Sequence, residues 1–378
     1  MALRVGVVGG GQLARMMVPA AVELGLDIRV LAEGPGMSAA IAATAEGDHR
    51  DVDVVRAFAR DVDVLTFDHE HVPQDVLRTL VEHGVVVRPG PAPLGVAQDK
   101  IVMRQRLTEL GLPVPDWAAV HDQTELRAFL DAHGGRAVVK TPRGGYDGKG
   151  VRVVTDASDA DDWFTAAAET GAGQALLAEE LVPFTRELAQ SVARRPSGEI
   201  VAWPLVETVQ RDGVCAEVIA PAPRSAGRLA DEAEAIAVRI ARELDVTGVL
   251  AVELFQTDDE RILVNELAMR PHNTGHWTID GSTTSQFEQH LRAVLDLPLG
   301  ATGTHAPVAV MVNVLGGPAD GDLGARYPGA LEAFPEAKYH FYGKAPRPGR
   351  KVGHVTVVGE DVDDVVFRAR AAAAHFDD

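Results

Sequence analysis

The stretch VVKTPRGGYDGKG, residues Val138–Gly150, sets the reading of the whole chain. Lys140 ends an apolar, β-branched run, and Gly144, Gly145, Gly148 and Gly150 follow it. A strand feeding a glycine-rich hairpin lets backbone N–H groups approach phosphate oxygens closely, with lysine adding charge. A second stretch, VNELAMRPHNTGHWT (Val264–Thr278), puts Asn265 and Glu266 at the end of a strand-like run that begins at Ile262. Glu253 ends a similar run, Val249–Val252, only 13 residues before Glu266. Two carboxylates on neighbouring strands, facing a lysine-and-glycine cradle, suit Mg²⁺, which takes one or two carboxylates plus phosphate oxygens. The pattern predicts a magnesium-nucleotide site that is not built on a Walker loop.

Working outward, residues 1–98 alternate between strand and helix patterns. Strands are expected at Leu3–Val8, Ile28–Leu31, Val64–Phe67 and Val85–Arg88, with helices at Gln12–Leu24, Val52–Arg60 and Gln74–His83. Such alternation predicts an α/β, doubly wound parallel sheet. PGPAPLG (Pro89–Gly95) marks the first boundary. A helix carrying Lys100 and Arg104 follows, then a lobe over residues 112–190 that includes the apolar run Ala175–Leu181. An alanine-rich helix is expected at Ala230–Leu244. Past Pro298, strand-like runs at Val308–Leu315 and Val352–Val358 precede a terminal helix. The expected domains are 1–98, 99–297 and 298–378.

A chain of 378 residues exceeds one ordinary core, and 46% apolar residues argue for a folded protein. With no run of 18 apolar residues and a first strand starting almost at Met1, neither a membrane span nor a signal peptide is expected. The single Cys215 cannot form an intrachain disulfide and lies in an apolar run, which predicts a buried spectator thiol and a reducing cytoplasm. The net charge of −19 argues against nucleic-acid and anionic-membrane partners. An anionic substrate therefore needs a local basic pocket, for which Arg347, Arg350 and Lys351 in the turn-like PRPGRK are suited. His49, His69, His71 and His83 read as scattered surface residues and not as a zinc set.

One motif competes. Gly9-Gly10-Gly11-Gln12-Leu13-Ala14 matches G-x-G-x-x-A after a strand, with Glu33 placed to hold a ribose, which suggests a Rossmann-type NAD-dependent or flavin-dependent oxidoreductase. The same turn serves any phosphate at a helix N-terminus, and the expectation here is a substrate phosphate.

Taken together these features resemble the ATP-grasp superfamily. GGGQLARM (Gly9–Met16), GGYDGKG (Gly144–Gly150), NELAMRPHNTGHWT (Asn265–Thr278) and RPGRKVGH (Arg347–His354) are similar, in this order, to the N5-carboxyaminoimidazole ribonucleotide synthetase family of purine biosynthesis. The resemblance implies an α/β (α+β) ATP-grasp fold: a doubly wound N-terminal domain, a two-lobed ATP-grasp domain and a small β-rich C-terminal domain. It implies a carbon–nitrogen ligase that carboxylates the amine of 5-aminoimidazole ribonucleotide with ATP and bicarbonate, through carboxyphosphate. Other ATP-grasp ligases, a formate-using ribonucleotide transformylase or a biotin carboxylase, are the near alternatives.

By the same resemblance, Lys100 and Lys140 hold ATP phosphates under a loop containing Tyr146, Asp147, Gly148, Lys149 and Gly150. Glu179, Glu180, Leu181 and Val182 form the adenine hinge, Glu187 takes the ribose, and Gln210 stands where some members carry histidine. Glu253, Glu266 and Asn265 match ligands for Mg²⁺, with two ions expected. Arg270, His272 and Asn273, with Lys140, form the catalytic set around bicarbonate, while His276 and Trp277 are expected to pack the loop. The ribonucleotide falls to Gly11, Gln12, Glu70, Tyr146, Asp147, Lys344, Arg350 and Lys351. Many members carry Glu-x-Glu where this chain has Asp68-His69-Glu70, which makes Glu70 the preferred contact. A cytoplasmic homodimer is implied as well.

Overall fold

The computed structural model describes residues 2–145, 149–169, 175–318 and 321–377. Its first 98 residues build a four-stranded parallel sheet from β1 (Arg4–Val8), β2 (Asp27–Ala32), β3 (Ala43–Glu46) and β4 (Val64–Phe67), in the order β3-β2-β1-β4. Two departures from expectation stand out here. Val85–Arg88 contributes only a single parallel bridge, Leu65 to Val87, and the remaining full strand is β3. Its sequence ATAE carries no apolar run by which a strand could be read. The proline-rich stretch taken as a boundary is a packed helix, Pro91–Gln98, that buries Pro93, Leu94 and Val96. Pro91 sits in its first turn, where a missing N–H costs no hydrogen bond.

Asp99 then caps the helix Lys100–Glu109 by accepting from the N–H groups of Ile101 and Val102. The lobe that follows is an antiparallel sheet of β5 (Trp117–Val120), β6 (Ala137–Lys140), β7 (Val151–Val154) and β8 (Leu176–Glu180), ordered β5-β8-β6-β7. Leu126, Phe129 and Leu130 of the helix Gln123–Ala132 pack with Val139 and Leu176 to form its core.

The largest sheet takes nine strands: β9 (Phe184–Arg194), β10 (Ile200–Ala202), β11 (Val206–Arg211), β12 (Val214–Ala220), β13 (Gly248–Thr257), β14 (Ile262–Ala268), β15 (Val308–Leu315), β16 (Lys338–Phe341) and β17 (Lys351–Gly359). Its order is β14-β13-β9-β11-β12-β15-β17-β16, with β10 beside β9. The C-terminal strands thus continue the large central sheet through the β12–β15 pairing, and the helix Val362–Ala374 packs on them. Leu229, Ile236 and Ile240 of the helix Arg228–Glu243 join the main core, each worth about 1.5–3 kcal/mol of burial. The helix Gln286–Val294 locks the domains together. Phe287, Leu291 and Val294 pack with Val5, Val7 and Leu13, and His290 bonds Thr66 Oγ1 at 2.7 Å while accepting the Val249 N–H at 3.1 Å. Among the described residues no helix is long and apolar enough to cross a membrane.

Candidate functional site

A cleft of about 1480 Å³ opens where these units meet. Single-ligand pockets commonly span about 300–1,000 Å³, so this one has room for two substrates side by side.

At one end of the cleft, Lys140 ends β6 and is buried. Its Nζ lies 2.7 Å from Glu179 Oε2 and donates to Asn265 Oδ1 at 3.2 Å. Lys100, at the start of its helix, reaches Glu266 Oε1 at 3.3 Å. Arg104 sits one turn further on, fully buried; its guanidinium bonds Glu179 and donates to the Asn265 carbonyl at 2.7 Å. Burial pushes the Glu179 carboxyl up, but the fields of Arg104 and Lys140 outweigh it and hold the group below its ordinary range. Arg104 had no role from sequence, although the i, i+4 spacing from Lys100 was a signal that both cations share one helix face. Glu179, expected only as part of the adenine hinge, is through its side chain the shared anion of Arg104 and Lys140. Glu180, Leu181, Val182, Glu187 and Gln210 line the same end, and there Phe184 stacks on Phe255 with centroids 4.6 Å apart.

The acids expected at strand ends lie inside the strands. β13 and β14 run on past them, and Glu253 pairs directly with Glu266 across the ladder, with a bulge after Glu253. Burial, then repulsion from Glu266 and Glu187, pushes the Glu253 carboxyl well above its usual range, and burial raises Glu187 too. Carboxylates crowded in this way favour a bound cation, and an all-oxygen set with open positions suits Mg²⁺.

After β14 the chain turns through Arg270–Asn273. Arg270 Nε lies 3.5 Å from Glu70 Oε2, and Glu70 Oε1 accepts the Met269 N–H at 2.6 Å. His272 Nε2 stands 3.7 Å from Glu253 Oε1, and burial, followed by Arg270 and Lys351, holds that ring well below its ordinary value and neutral. Both side-chain amide atoms of Asn273 are buried with no hydrogen-bond partner among the described residues. His276 and Trp277 are fully packed. Cys215, also at the cleft, is a buried thiol pushed up to about 12.

The Gly9–Ala14 turn differs from a dinucleotide site. Glu33, cast as a ribose ligand in that reading, accepts the Gly10 N–H at 3.0 Å, and Asp68 accepts the Ala14 N–H at 2.7 Å. A Cβ on Gly11 would stand 2.0 Å from Asp68 Oδ2, so only glycine fits under this carboxylate. The scattered histidines converge here as well: His49 and His69 approach Glu33 within ligand distance of one another. His69 Nδ1, however, accepts the His71 N–H at 3.1 Å, so its proton sits on Nε2 and goes to Glu33 at 3.0 Å, which leaves no lone pair for a metal. These groups brace the turn.

Across the cleft, Lys344 donates to Gln12 Oε1 at 2.6 Å and Lys351 lines the wall. The structure does not bring Arg350 to the cleft: its guanidinium donates to the Ala345 carbonyl within its own turn. Tyr146, Asp147 and Gly148 lie outside the described residues, while Lys149 and Gly150 form the far base of that hairpin, with the Thr141 N–H donating to the Gly150 carbonyl at 3.0 Å.

Comparison with known proteins agrees with this arrangement. Family models match a ribonucleotide synthetase preATP-grasp domain at residues 1–98, an ATP-grasp domain at 105–287 and a phosphoribosylaminoimidazole carboxylase C-terminal domain at 309–368. The chain is 52% identical over 373 residues to the N5-carboxyaminoimidazole ribonucleotide synthase of Mycobacterium tuberculosis, covering 98% of this chain and 86% of that one. Among solved structures, carboxyaminoimidazole ribonucleotide synthase from Aspergillus clavatus complexed with ATP superposes with a TM-score of 0.89 at 31% identity, over 99% of this chain and 98% of that one. The same fungal enzyme in complex with ADP and 5-aminoimidazole ribonucleotide gives 0.88 at 30% identity, with the same coverage.

Proposed function

The chain belongs to the N5-carboxyaminoimidazole ribonucleotide synthase family of ATP-grasp ligases, and from that premise we propose how its residues divide the reaction. Bicarbonate attacks the γ-phosphorus of ATP, releasing ADP and forming carboxyphosphate. The amine of 5-aminoimidazole ribonucleotide then attacks the carboxyl carbon, or the CO₂ it releases; phosphate leaves, the amine loses a proton and a carbamate remains.

Lys100 and Lys140 take the ATP phosphates, with Arg104 and Glu179 setting the position of the Lys140 ammonium. Glu253, Glu266 and Asn265 hold Mg²⁺, which when bound neutralises phosphate charge. Arg270, His272 and Asn273 receive bicarbonate, and the unpartnered Asn273 amide offers both a donor and an acceptor to it. Gln12, Lys344 and Lys351 grip the ribonucleotide, and the Gly144–Gly150 hairpin keeps water from the acyl phosphate. Phosphoryl transfer asks mainly for positioning and charge neutralisation, which is what this set supplies. The same reading carries a cytoplasmic homodimer.

One observation supports the reading most: two lysines, two facing acids and an Arg-x-His-Asn turn converge in one cleft large enough for a second substrate. The rival dinucleotide site has its turn braced by Glu33 and Asp68. The deciding assay measures ADP release with and without 5-aminoimidazole ribonucleotide, and with bicarbonate or formate. Release that needs bicarbonate and the ribonucleotide together is expected; release driven by formate would move the chain to the transformylases.

A further inference from the structure

The helix Gln286–Val294 carries two fully buried glutamines, Gln286 and Gln289. Each grips one residue of a neighbouring loop at both backbone groups. Gln286 Oε1 accepts the His272 N–H at 2.8 Å, and its Nε2 donates to the His272 carbonyl at 2.8 Å. His272 is extended, with φ −126° and ψ 157°, so its N–H and C=O point the same way. One primary amide therefore does for this residue what a neighbouring strand would. Gln286 Nε2 is also 2.8 Å from His276 Nδ1, which fixes the orientation of the amide and leaves that ring's proton on Nε2. The carboxamide packs so closely on Gly275 that a Cβ there would stand 2.4 Å from Gln286 Oε1.

The loop needs such a brace. Pro271 offers no N–H, Arg270 Nε has only the 3.5 Å ion pair to Glu70, and both amide atoms of Asn273 are buried with no hydrogen-bond partner among the described residues. Unsatisfied buried polar groups tend to turn toward any partner within reach, which would spoil the pocket before substrate arrives. We infer that Gln286 is a positioning residue for the carboxylation half of the reaction: by holding the His272 backbone it keeps Arg270, His272 and Asn273 aimed at bicarbonate and carboxyphosphate. The inference rests on the family reading above.

Gln289 is the built-in control. It pairs in the same manner with Gly300, accepting from its N–H and donating to its carbonyl, both at 2.7 Å, in a loop away from the cleft. The experiment compares Gln286→Met, Gln286→Glu and Gly275→Ala with Gln289→Met. It reads the KM for bicarbonate, the KM for ATP, the ratio of ADP released to carbamate formed, and the thermal midpoint. Misplacing reactive groups by about 1 Å costs up to ~10²-fold, so the Gln286 and Gly275 variants should raise the bicarbonate KM at least ~10-fold. ADP release in them should outrun product, as carboxyphosphate escapes to water, while the ATP KM holds. Gln289→Met should lose comparable thermal stability with all three kinetic readouts unchanged.

Equal kinetic profiles for the Gln286 and Gln289 variants would overturn the inference. Hydrogen exchange in the parent enzyme tests it without any variant: slow exchange of the His272 amide is expected, and loop-like fast exchange overturns the clamp. A parent showing no bicarbonate-dependent ADP release would instead remove the proposed division of the reaction.

Discussion

Two glycine-rich turns follow strands in this chain, and their surroundings carry opposite charge. At Gly9–Ala14 the fold turns its own carboxylates inward: Glu33 meets the Gly10 N–H and Asp68 the Ala14 N–H. At the Gly144–Gly150 hairpin the preceding strand supplies Lys140, and Lys100 stands near it, each cation held by an acid, Glu179 or Glu266. Local geometry suited both turns to phosphate. What separates them is the neighbour brought in from far along the sequence. The first turn has two of its N–H groups, those of Gly10 and Ala14, taken by carboxylates, and the Gln12 side chain at its end meets Lys344. The second has its cations, Lys140 and Lys100, paired with Glu179 and Glu266 on the wall of the cleft.

The sharpest break in this comparison comes on the hairpin side. Glu266→Gln removes charge from the paired acids and frees Lys100 of its partner, and turnover should fall at least ~10²-fold with the fold intact by circular dichroism. A variant keeping most of its kcat at saturating Mg²⁺ would show that the acids do not hold the metal.

On the turn side, Lys344→Ala should raise the ribonucleotide KM roughly 10- to 100-fold, the scale of about 1.5–3 kcal/mol for a charge-assisted contact, and leave the ATP KM alone. Arg350→Ala, by contrast, should change either constant by less than about 3-fold, because its guanidinium serves the Ala345 carbonyl. Steady-state kinetics with each substrate varied in turn separates the two residues.

Gly11→Ala tests whether Asp68 fills the turn. Its Cβ would drive into Asp68 Oδ2, so the variant should lose about 1–3 kcal/mol in denaturant unfolding and raise the ribonucleotide KM. An unchanged midpoint would mean that the carboxylate moves aside freely.

The smallest effect is one of pH. The hydrogen bond from His69, with help from the Gly10 N–H, lowers the Glu33 carboxyl to about 2 from an ordinary 4.5. A carboxyl depressed on folding adds stability that is complete above the unfolded value and is lost as pH falls through the folded one. Stability of the parent should therefore decline between about pH 4.5 and 2, and Glu33→Gln should flatten that limb in acid unfolding curves. Identical limbs would show that the turn draws nothing from this acid.

Much of the architecture was legible in order along the chain. Val308–Leu315 reads as a strand and is one, and the alanine-rich helix falls within two residues of its expected ends, because strong periodicity survives any tertiary context. β3 was not legible, since the four residues ATAE alternate but carry no bulky apolar side chain, and the strand forms along the edge of β2. The helix Pro91–Gln98 was missed for a related reason: proline reads as a breaker unless it sits in the first turn, and that placement depends on where the helix starts.

The site divides along the same line. By itself the sequence determined the chemistry-bearing types, the lysine before the hairpin, the paired acids, the Arg-x-His-Asn turn and the basic C-terminal segment, because function demands those groups at close spacing. The tertiary structure alone decided which of them are committed elsewhere. Asp68 and Glu33 were assigned to the turn, Arg350 to its own loop, Glu179 to Arg104 and Lys140, and Gln286 to His272. These are pairings between residues 14 to 75 positions apart, or within a turn whose direction only packing sets, and a one-dimensional pattern holds no distance by which to choose among them.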